Sequence, residues 1–244
     1  MTRIRPIGVI TGTGVTEHFD LSRPMTVRTG HGDATVFRHP RGEYLLIPRH
    51  GAEHESPPHG INYKANIAAF DQLGVREIIA TNAVGSMNPG FKVGRMGLAE
   101  QFIDFTKRRQ TTFFEDKVVH TDMTNPYSRR LNNELLRSAG ELRVALKEHL
   151  VYVCVEGPRF ETPAEIRMYR LLGGDVVGMT GVPEVVLANE KNLEYASVLV
   201  ATNWGAGMQS KVSQEEVVKV MKRSGKTVKH LIEKTVRGLR GDSN

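Results

Sequence analysis

Residues 77–86 read EIIATNAVGS, an apolar run that passes directly into the small and polar residues Thr81-Asn82-Ala83-Val84-Gly85-Ser86. The apolar run lacks the alternation of a half-exposed strand, so it predicts a strand that is covered on both faces. In α/β proteins, ligands bind where such strands end. This stretch therefore predicts both the fold class and the position of a site.

The same pattern recurs along the chain, with helical periodicity between the apolar runs. We expect strands at residues 7–10, 44–47, 77–81, 151–155, 175–178 and 197–201, and helices near residues 61–73, 130–146, 164–172 and 183–192. A last helix follows Ser213, which forms an S-x-x-E capping box with Glu216. Because no linker or repeat divides the chain, residues 1–244 are predicted to form one α/β domain, with helices on both sides of a mixed sheet.

The composition excludes several classes of protein. Of the 244 residues, 39% are hydrophobic and 25% are charged, as in a soluble globular protein. No apolar run approaches the roughly 18 residues of a membrane span, and residues 1–6 lack the apolar segment of a secretory signal. The single cysteine, Cys154, excludes an intramolecular disulfide and fits a reducing compartment. We therefore expect a cytoplasmic protein without a membrane partner.

The formal net charge of +6 favours an anionic partner without identifying it. Much of the excess lies on one face of the last helix, at Lys219, Lys222, Arg223, Lys226, Lys229, Lys234 and Arg237. No aromatic residues interleave with these charges, so a platform for stacking nucleic-acid bases is not indicated. We interpret this face as solvated and expect no nucleic-acid partner. A non-catalytic nucleotide- or nucleic-acid-binding protein is the alternative from another class.

Two motifs near the amino terminus could bind phosphate. Gly12-Thr13-Gly14 follows the first strand, where N–H groups and hydroxyls can surround an anion. Glu17 stands where a dinucleotide fingerprint needs a small residue, and no Walker lysine follows, so neither nucleotide motif is present. Arg49-His50-Gly51 also follows a strand, and an arginine there can hold phosphate bidentately.

The histidines near this second motif do not form the pattern of a metal site. His50, His54 and His59 surround Pro57 and Pro58, which break any helix, and the H-E-x-x-H spacing of zinc enzymes is absent from the sequence. We therefore expect no metal at these histidines.

The second half of the chain carries candidates for binding a flat base. In Glu156-Gly157-Pro158-Arg159-Phe160-Glu161, the ring of Phe160 could stack on a base, and Glu161 could accept a hydrogen bond from a ring N–H. Gly178-Met179-Thr180-Gly181-Val182-Pro183-Glu184 and Thr202-Asn203-Trp204 mark two further strand ends, so we expect one shared crevice. There is no G-x-S-x-G elbow, and Cys154 lies in an apolar run, so direct attack by phosphate fits better than covalent catalysis.

Taken in order, five motifs resemble the trimeric purine nucleoside phosphorylase family, and within it the branch of methylthioadenosine and methylthioinosine phosphorylases. They are Gly12-Thr13-Gly14, Arg49-His50-Gly51, Thr81-Asn82-Ala83, Glu156-Gly157-Pro158-Arg159-Phe160 and Met179-Thr180-Gly181-Val182-Pro183-Glu184. The resemblance covers nearly the whole chain. It implies a distorted central sheet or barrel flanked by helices, a homotrimer, and reversible phosphorolysis of a purine nucleoside with inorganic phosphate as co-substrate. This reaction requires no metal and no organic cofactor.

The resemblance also implies roles for individual residues. Phosphate would be held by Thr13, Arg49, His50, Ala83 and Thr180. Met179 would lie against the ribose and Phe160 against the purine, while His120 would reach the 5′ pocket of a neighbouring chain. Arg49, His50, Glu161 and Asn203 are the residues expected to carry the catalytic chemistry.

Two positions favour a 6-oxopurine. The adenine-specific branch has an aspartate where Asn203 stands and a small residue in place of Glu161. Asparagine can donate to O6 and N7, and a glutamate accepts the N1 proton that hypoxanthine and guanine carry. The overall resemblance favours a 5′-methylthio group, with which Val217 is compatible, whereas Gln214 leaves inosine and guanosine open. A methylthioadenosine phosphorylase is the alternative within the class.

Overall fold

A computed structural model describes residues 5–53 and 55–241. The strands are β1 (Ile7–Thr11), β2 (Met25–Thr29), β3 (Gly32–Arg38), β4 (Tyr44–Pro48), β5 (Glu77–Ser86), β6 (Met96–Phe105), β7 (Leu146–Val155), β8 (Val176–Gly178) and β9 (Glu194–Trp204). The helices are α1 (Tyr63–Gln72), α2 (Arg129–Glu141), α3 (Pro163–Leu171), α4 (Glu184–Glu190) and α5 (Gln214–Leu239).

The nine strands form one mixed sheet in the order β2-β3-β4-β1-β5-β8-β7-β6-β9, and β9 also pairs with β5. This additional pairing closes β5, β8, β7, β6 and β9 into a barrel, from which β1, β4, β3 and β2 extend as an open sheet. Strands β1 and β4 are buried along their whole length, as their unbroken apolar sequences predict. The predicted α/β fold with a distorted barrel is therefore confirmed.

Each of the six predicted strands and five predicted helices is present, but three strands were missed. β2 and β3 form a half-exposed antiparallel pair, and β6 carries Glu100, Gln101 and Asp104 after its first four residues. Their polar outer faces interrupt the apolar runs on which the prediction depended. Strands β5, β7 and β9 also extend beyond the predicted bounds.

Two local predictions at helix ends need correction. The helix predicted to run to residue 146 ends at Glu141, because Arg143 adopts a left-handed φ of 56° and the Val144 N–H donates to the Ala139 carbonyl oxygen. The capping box at Ser213 is half formed. The Ser213 hydroxyl accepts from the Glu216 N–H, but Gln209 donates to the Glu216 carboxylate.

The topology places four of the candidate motifs, those at the ends of β1, β4, β5 and β9, at one edge of the sheet. β1 runs parallel to both β4 and β5, and β5 runs parallel to β9, so the carboxyl ends of these four strands lie at the same edge. Over the described part of the chain, no helix is long and apolar enough to cross a membrane.

Candidate active site

A cavity of about 380 Å³ opens at this edge of the sheet. The predicted site residues that line it are Thr13, Arg49, His50, Ala83, Phe160, Glu161, Met179, Thr180, Asn203, Gln214 and Val217. They come from six strands or the turns after them and from the start of α5. The fold therefore brings distant segments into one crevice, as the sequence pattern predicted.

His120 is the one predicted site residue that does not line this cavity. It is exposed, in the segment between β6 and α2. The resemblance assigns it to the pocket of a neighbouring chain, and that assignment stays a prediction. Of the three histidines weighed for a metal site, His54 lies outside the described residues; among the described residues no group of three or more His, Cys, Asp or Glu side chains is placed to hold a metal.

The Arg49 guanidinium group forms the floor of one end of the cavity. Its Nε donates to Glu184 Oε2 at 3.0 Å, its Nη2 donates to Glu184 Oε1 at 2.7 Å, and its Nη1 donates to the Thr81 carbonyl oxygen at 2.5 Å. Burial alone would lower the pKa of Arg49, but the charge and hydrogen bonds of Glu184 outweigh burial and raise it above the usual value. Arg49 is therefore a fixed cation with a buried counterion.

Gly12 and Thr81 bring β1 close to this cation. The Gly12 N–H donates to Thr81 Oγ1 at 3.2 Å, and a Cβ at Gly12 would lie only 2.9 Å from Arg49 Nη1. A side chain at this position would therefore displace the guanidinium group. Glycine is needed here because the backbone and the cation approach each other closely.

Thr180 and His50 complete the polar end of the cavity. The Thr180 N–H donates to the Tyr152 hydroxyl at 3.2 Å, and Thr180 Oγ1 lies 2.8 Å from Asn82 Oδ1, whose amide also bonds Ser197 Oγ at 2.7 Å. His50 Nδ1 lies 2.8 Å from the Ser56 carbonyl oxygen. Because a carbonyl oxygen only accepts, Nδ1 carries a proton in this arrangement.

Another part of the cavity carries a carboxylate and an amide beside an aromatic ring. Phe160 is half-buried against one hydrophobic core cluster, and burial raises the pKa of Glu161. Asn203 is 5% exposed; its Oδ1 accepts from Thr202 Oγ1 at 2.8 Å, and its Nδ2 donates to the Trp204 carbonyl oxygen at 2.9 Å. Since an amide nitrogen carries two hydrogens, one remains to face a ligand.

The remaining side of the cavity is partly apolar. Met179 is half-buried and packs on a small core cluster, and Val217 is buried in the first turns of α5. Gln214, the first residue of α5, is exposed at the rim. The cavity thus combines a polar part around a cation, a part with a donor and an acceptor, and an apolar wall.

Sequence reasoning missed several residues that shape the cavity. Glu184 was quoted in a motif but assigned no role, although its position within the apolar run Val-Pro-Glu-Val-Val was a signal. Asn82 and Thr202 are polar residues inside buried strands, and they orient Thr180 and Asn203. The segment Glu55, Ser56, Pro57 and Pro58 also lines the cavity. It carries no strand-end pattern that could have indicated this.

The closed mixed sheet and the crevice at its edge define an α/β protein whose cavity is lined by a buried cation, a carboxylate, an amide and an aromatic ring. The sequence profile of the Phosphorylase superfamily matches residues 6–237. The chain belongs to this superfamily.

Three comparisons illustrate the membership. The chain is 43% identical over 245 residues to a protein of Methanothermobacter thermautotrophicus named probable S-methyl-5′-thioinosine phosphorylase, covering 98% of this chain and 86% of that protein. It is 43% identical to the 6-oxopurine nucleoside phosphorylase of Pyrococcus furiosus, covering 93% and 90%. Methylthioadenosine phosphorylase from Schistosoma mansoni, in complex with adenine, superposes with a TM-score of 0.90 at 30% identity, covering 98% of this chain and 93% of that chain.

Proposed function

We propose that the protein catalyses phosphorolysis of purine nucleosides, with S-methyl-5′-thioinosine as its preferred kind of substrate. The products are the free purine and 5-methylthioribose 1-phosphate. The observation that carries the proposal is that one cavity is lined both by a cation and a hydroxyl, at Arg49 and Thr180, and by a carboxylate and an amide, at Glu161 and Asn203. We assign the first pair to phosphate and the second to the base. Names of relatives at 43% identity, a thioinosine phosphorylase and a 6-oxopurine nucleoside phosphorylase, support the same substrate class.

The reaction needs a positioned anion more than a reactive side chain. The bond from the sugar to the purine nitrogen breaks with its electron pair going to the purine, which leaves an oxocarbenium-like sugar. Phosphate held by Thr13, Arg49, His50, Ala83 and Thr180 stabilises this cation and then forms the new carbon–oxygen bond. The contribution of the protein is positioning and electrostatic stabilisation, so we propose inorganic phosphate as co-substrate and no other cofactor.

The base-binding end favours a 6-oxopurine leaving group. The free N–H of the Asn203 amide can donate to O6 or N7 as negative charge develops on the departing purine. Ionised Glu161 can accept the N1 proton, which adenine lacks. A 6-aminopurine would place its own donors against the Asn203 donor and leave Glu161 without that bond. Such buried mismatches are what allow a site to discriminate strongly between similar substrates.

A methylthioadenosine phosphorylase is the second candidate. It is favoured by the structural likeness to the Schistosoma mansoni methylthioadenosine phosphorylase. It also agrees with the apolar wall at Val217, which suits a thioether whichever base is attached. Gln214 at the rim could instead meet a 5′-hydroxyl group, so inosine and guanosine belong in the same test.

We also propose a cytoplasmic homotrimer. The resemblance implies the trimer, and Val118 and Leu171 support an association of chains because they are 85% and 89% exposed. His120 lies two residues from Val118 in the same exposed segment, which agrees with a role in the pocket of a neighbouring chain. The single buried cysteine supports a reducing compartment.

The deciding experiment is a nucleoside panel assayed for purine release with and without phosphate. S-methyl-5′-thioinosine, S-methyl-5′-thioadenosine, inosine and guanosine form the panel. We expect release only with phosphate and the highest kcat/KM for S-methyl-5′-thioinosine. Release without phosphate would indicate a hydrolase. A higher kcat/KM for the adenine compound would favour the second candidate, and salt-dependent DNA binding without turnover would indicate a nucleic-acid-binding protein.

A further inference from the structure

Glu184 is a completely buried carboxylate bonded to Arg49. It is 0% exposed and does not line the cavity. Arg49 lies between the Glu184 carboxylate and any ligand in the cavity. Isolated buried charges are costly, and a buried carboxylate is stable only when it is paired and hydrogen-bonded. Glu184 is both, since it receives two hydrogen bonds from Arg49 and one from the Tyr195 hydroxyl at 2.6 Å.

The pairing determines which edge of Arg49 faces the cavity. A guanidinium group has five N–H donors in a rigid plane. Glu184 takes one on Nε and one on Nη2, and the Thr81 carbonyl oxygen takes one on Nη1. Two N–H donors remain, one on Nη1 and one on Nη2. An anion in the cavity is therefore offered a pair of donors whose plane is fixed before the anion arrives.

Glu184 is itself anchored to the second polar group of the cavity. It is the first residue of α4, four positions after Thr180, and Tyr195 holds it from β9. Ser197, two residues further along β9, bonds the Asn82 amide that contacts Thr180. Arg49 and Thr180 are thus positioned by two side-chain networks that start from the same strand.

The pairing also sets the charge of the empty site. Without Glu184, the 2%-exposed Arg49 would be a buried cation with no counterion whenever phosphate is absent. With Glu184, the pair is neutral and Arg49 keeps its place between turnovers. An isosteric amide cannot do this, because a glutamine would present an NH2 group to one of the two Arg49 nitrogens, donor against donor.

We propose that Glu184 is a positioning residue for phosphate, acting through Arg49 and held in place by Tyr195. This inference rests on the proposed function, since it takes phosphate as the anion in the cavity. It predicts that the carboxylate controls phosphate affinity separately from nucleoside affinity, although it touches neither.

The test compares the full-length wild type with Glu184→Gln. We expect the KM for phosphate to rise about tenfold or more, the usual effect of losing a hydrogen bond to a charged group, while the KM for nucleoside changes by less than about twofold. Inorganic phosphate should raise the thermal unfolding midpoint of the wild type and raise that of the variant much less. A merely structural pair would lower the midpoint without separating the two KM values.

Tyr195→Phe and Tyr44→Phe form a matched pair that keeps the test decisive if Glu184→Gln does not fold. Each removes a buried hydroxyl that donates to a glutamate, but Tyr44 donates to Glu233 and lines no part of the cavity. We expect a severalfold rise in the phosphate KM for Tyr195→Phe alone.

The inference is overturned if Glu184→Gln keeps the phosphate KM and the phosphate-induced shift of the wild type. If that variant does not fold, it is overturned when Tyr195→Phe matches Tyr44→Phe in both measurements. Failure of the proposed function is seen separately in the wild type, as purine release that does not depend on phosphate. In that case, the inference is still decided by comparing the phosphate-induced shift of the thermal unfolding midpoint between the wild type and the same variants.

Discussion

Replacing Asn203 by aspartate should reverse the preference for the base. The variant keeps the side-chain shape but exchanges the NH2 group for a carboxylate oxygen. The Asn203 Nδ2 now donates to the Trp204 carbonyl oxygen at 2.9 Å and keeps a second hydrogen for the base. In Asn203→Asp, an acceptor would face that carbonyl oxygen, and another acceptor would face O6 or N7 of a 6-oxopurine.

The size of the effect follows from the burial of this group. Asn203 is 5% exposed, so water cannot replace the lost donor. Leaving a buried polar group unsatisfied costs about 1–3 kcal/mol. With 1.4 kcal/mol for each factor of ten, kcat/KM for S-methyl-5′-thioinosine should fall by about 5- to 150-fold. The same carboxylate can accept from a 6-amino group, so kcat/KM for S-methyl-5′-thioadenosine should rise.

The assay measures kcat/KM for both nucleosides at saturating phosphate, by the release of free purine. Asn189→Asp is the matched control, because the Asn189 amide also donates to main-chain carbonyl oxygens, those of Pro126 and Val185, but lies outside the cavity lining. We expect it to change stability and to leave the ratio of the two substrates unaltered. An unchanged ratio in Asn203→Asp would refute the assignment of Asn203 to the base.

Three further predictions concern protonation and packing. Burial raises the pKa of Glu161, and only the ionised form of Glu161 accepts from N1. As the pH decreases, kcat/KM for a 6-oxopurine nucleoside should therefore fall, and it should fall at a higher pH than an ordinary carboxyl with a pKa near 4.5 would cause. Glu161→Gln should remove this acid limb of the pH–rate profile. Gly12→Ala should raise the phosphate KM, because the added Cβ would lie 2.9 Å from Arg49 Nη1. Gly30→Ala is the control, because a Cβ there meets nothing within 4 Å. Equal phosphate KM values in both variants would contradict the packing argument. Burial lowers the pKa of His39, so His39 is held neutral and the fold loses stability as the pH falls below 6.5. His39→Phe should flatten this decrease when thermal unfolding midpoints are compared between about pH 7 and pH 5. An equally steep decrease in the variant would exclude His39 as its source.

The sequence indicated the residues that line the cavity more completely than it indicated the strands of the sheet. Strands β1 and β4 are buried on both faces, and an unbroken apolar run predicts such strands directly. β2, with half its residues exposed, shows only a short alternation that a loop can share. Closure of the barrel depends on the pairing of β9 with both β5 and β6, a contact between distant segments that no local pattern encodes.

Within the site, residues that line the cavity were predictable and residues behind them were not. Arg49 and Thr180 occur in motifs that resemble a known family, and both line the cavity. Glu184 and Asn82 act by positioning Arg49 and Thr180, and their importance depends on hydrogen bonds of 2.7–3.0 Å to those two side chains. A charged or amide residue in an apolar stretch is a sequence signal for such a group, but its partner becomes visible only in three dimensions.

The net charge of +6 contributes little to phosphate binding at this site. On α5, Lys229 pairs with Asp20 and Lys234 pairs with Glu141, so part of the basic face is neutralised by neighbouring acids. At the cavity floor, the charge of Arg49 is compensated by Glu184. Phosphate would therefore be held by oriented N–H and hydroxyl groups rather than by an excess of positive charge. Directional donors of this kind would fix the orientation of phosphate, and Glu184 would keep the Arg49 donors in place for it.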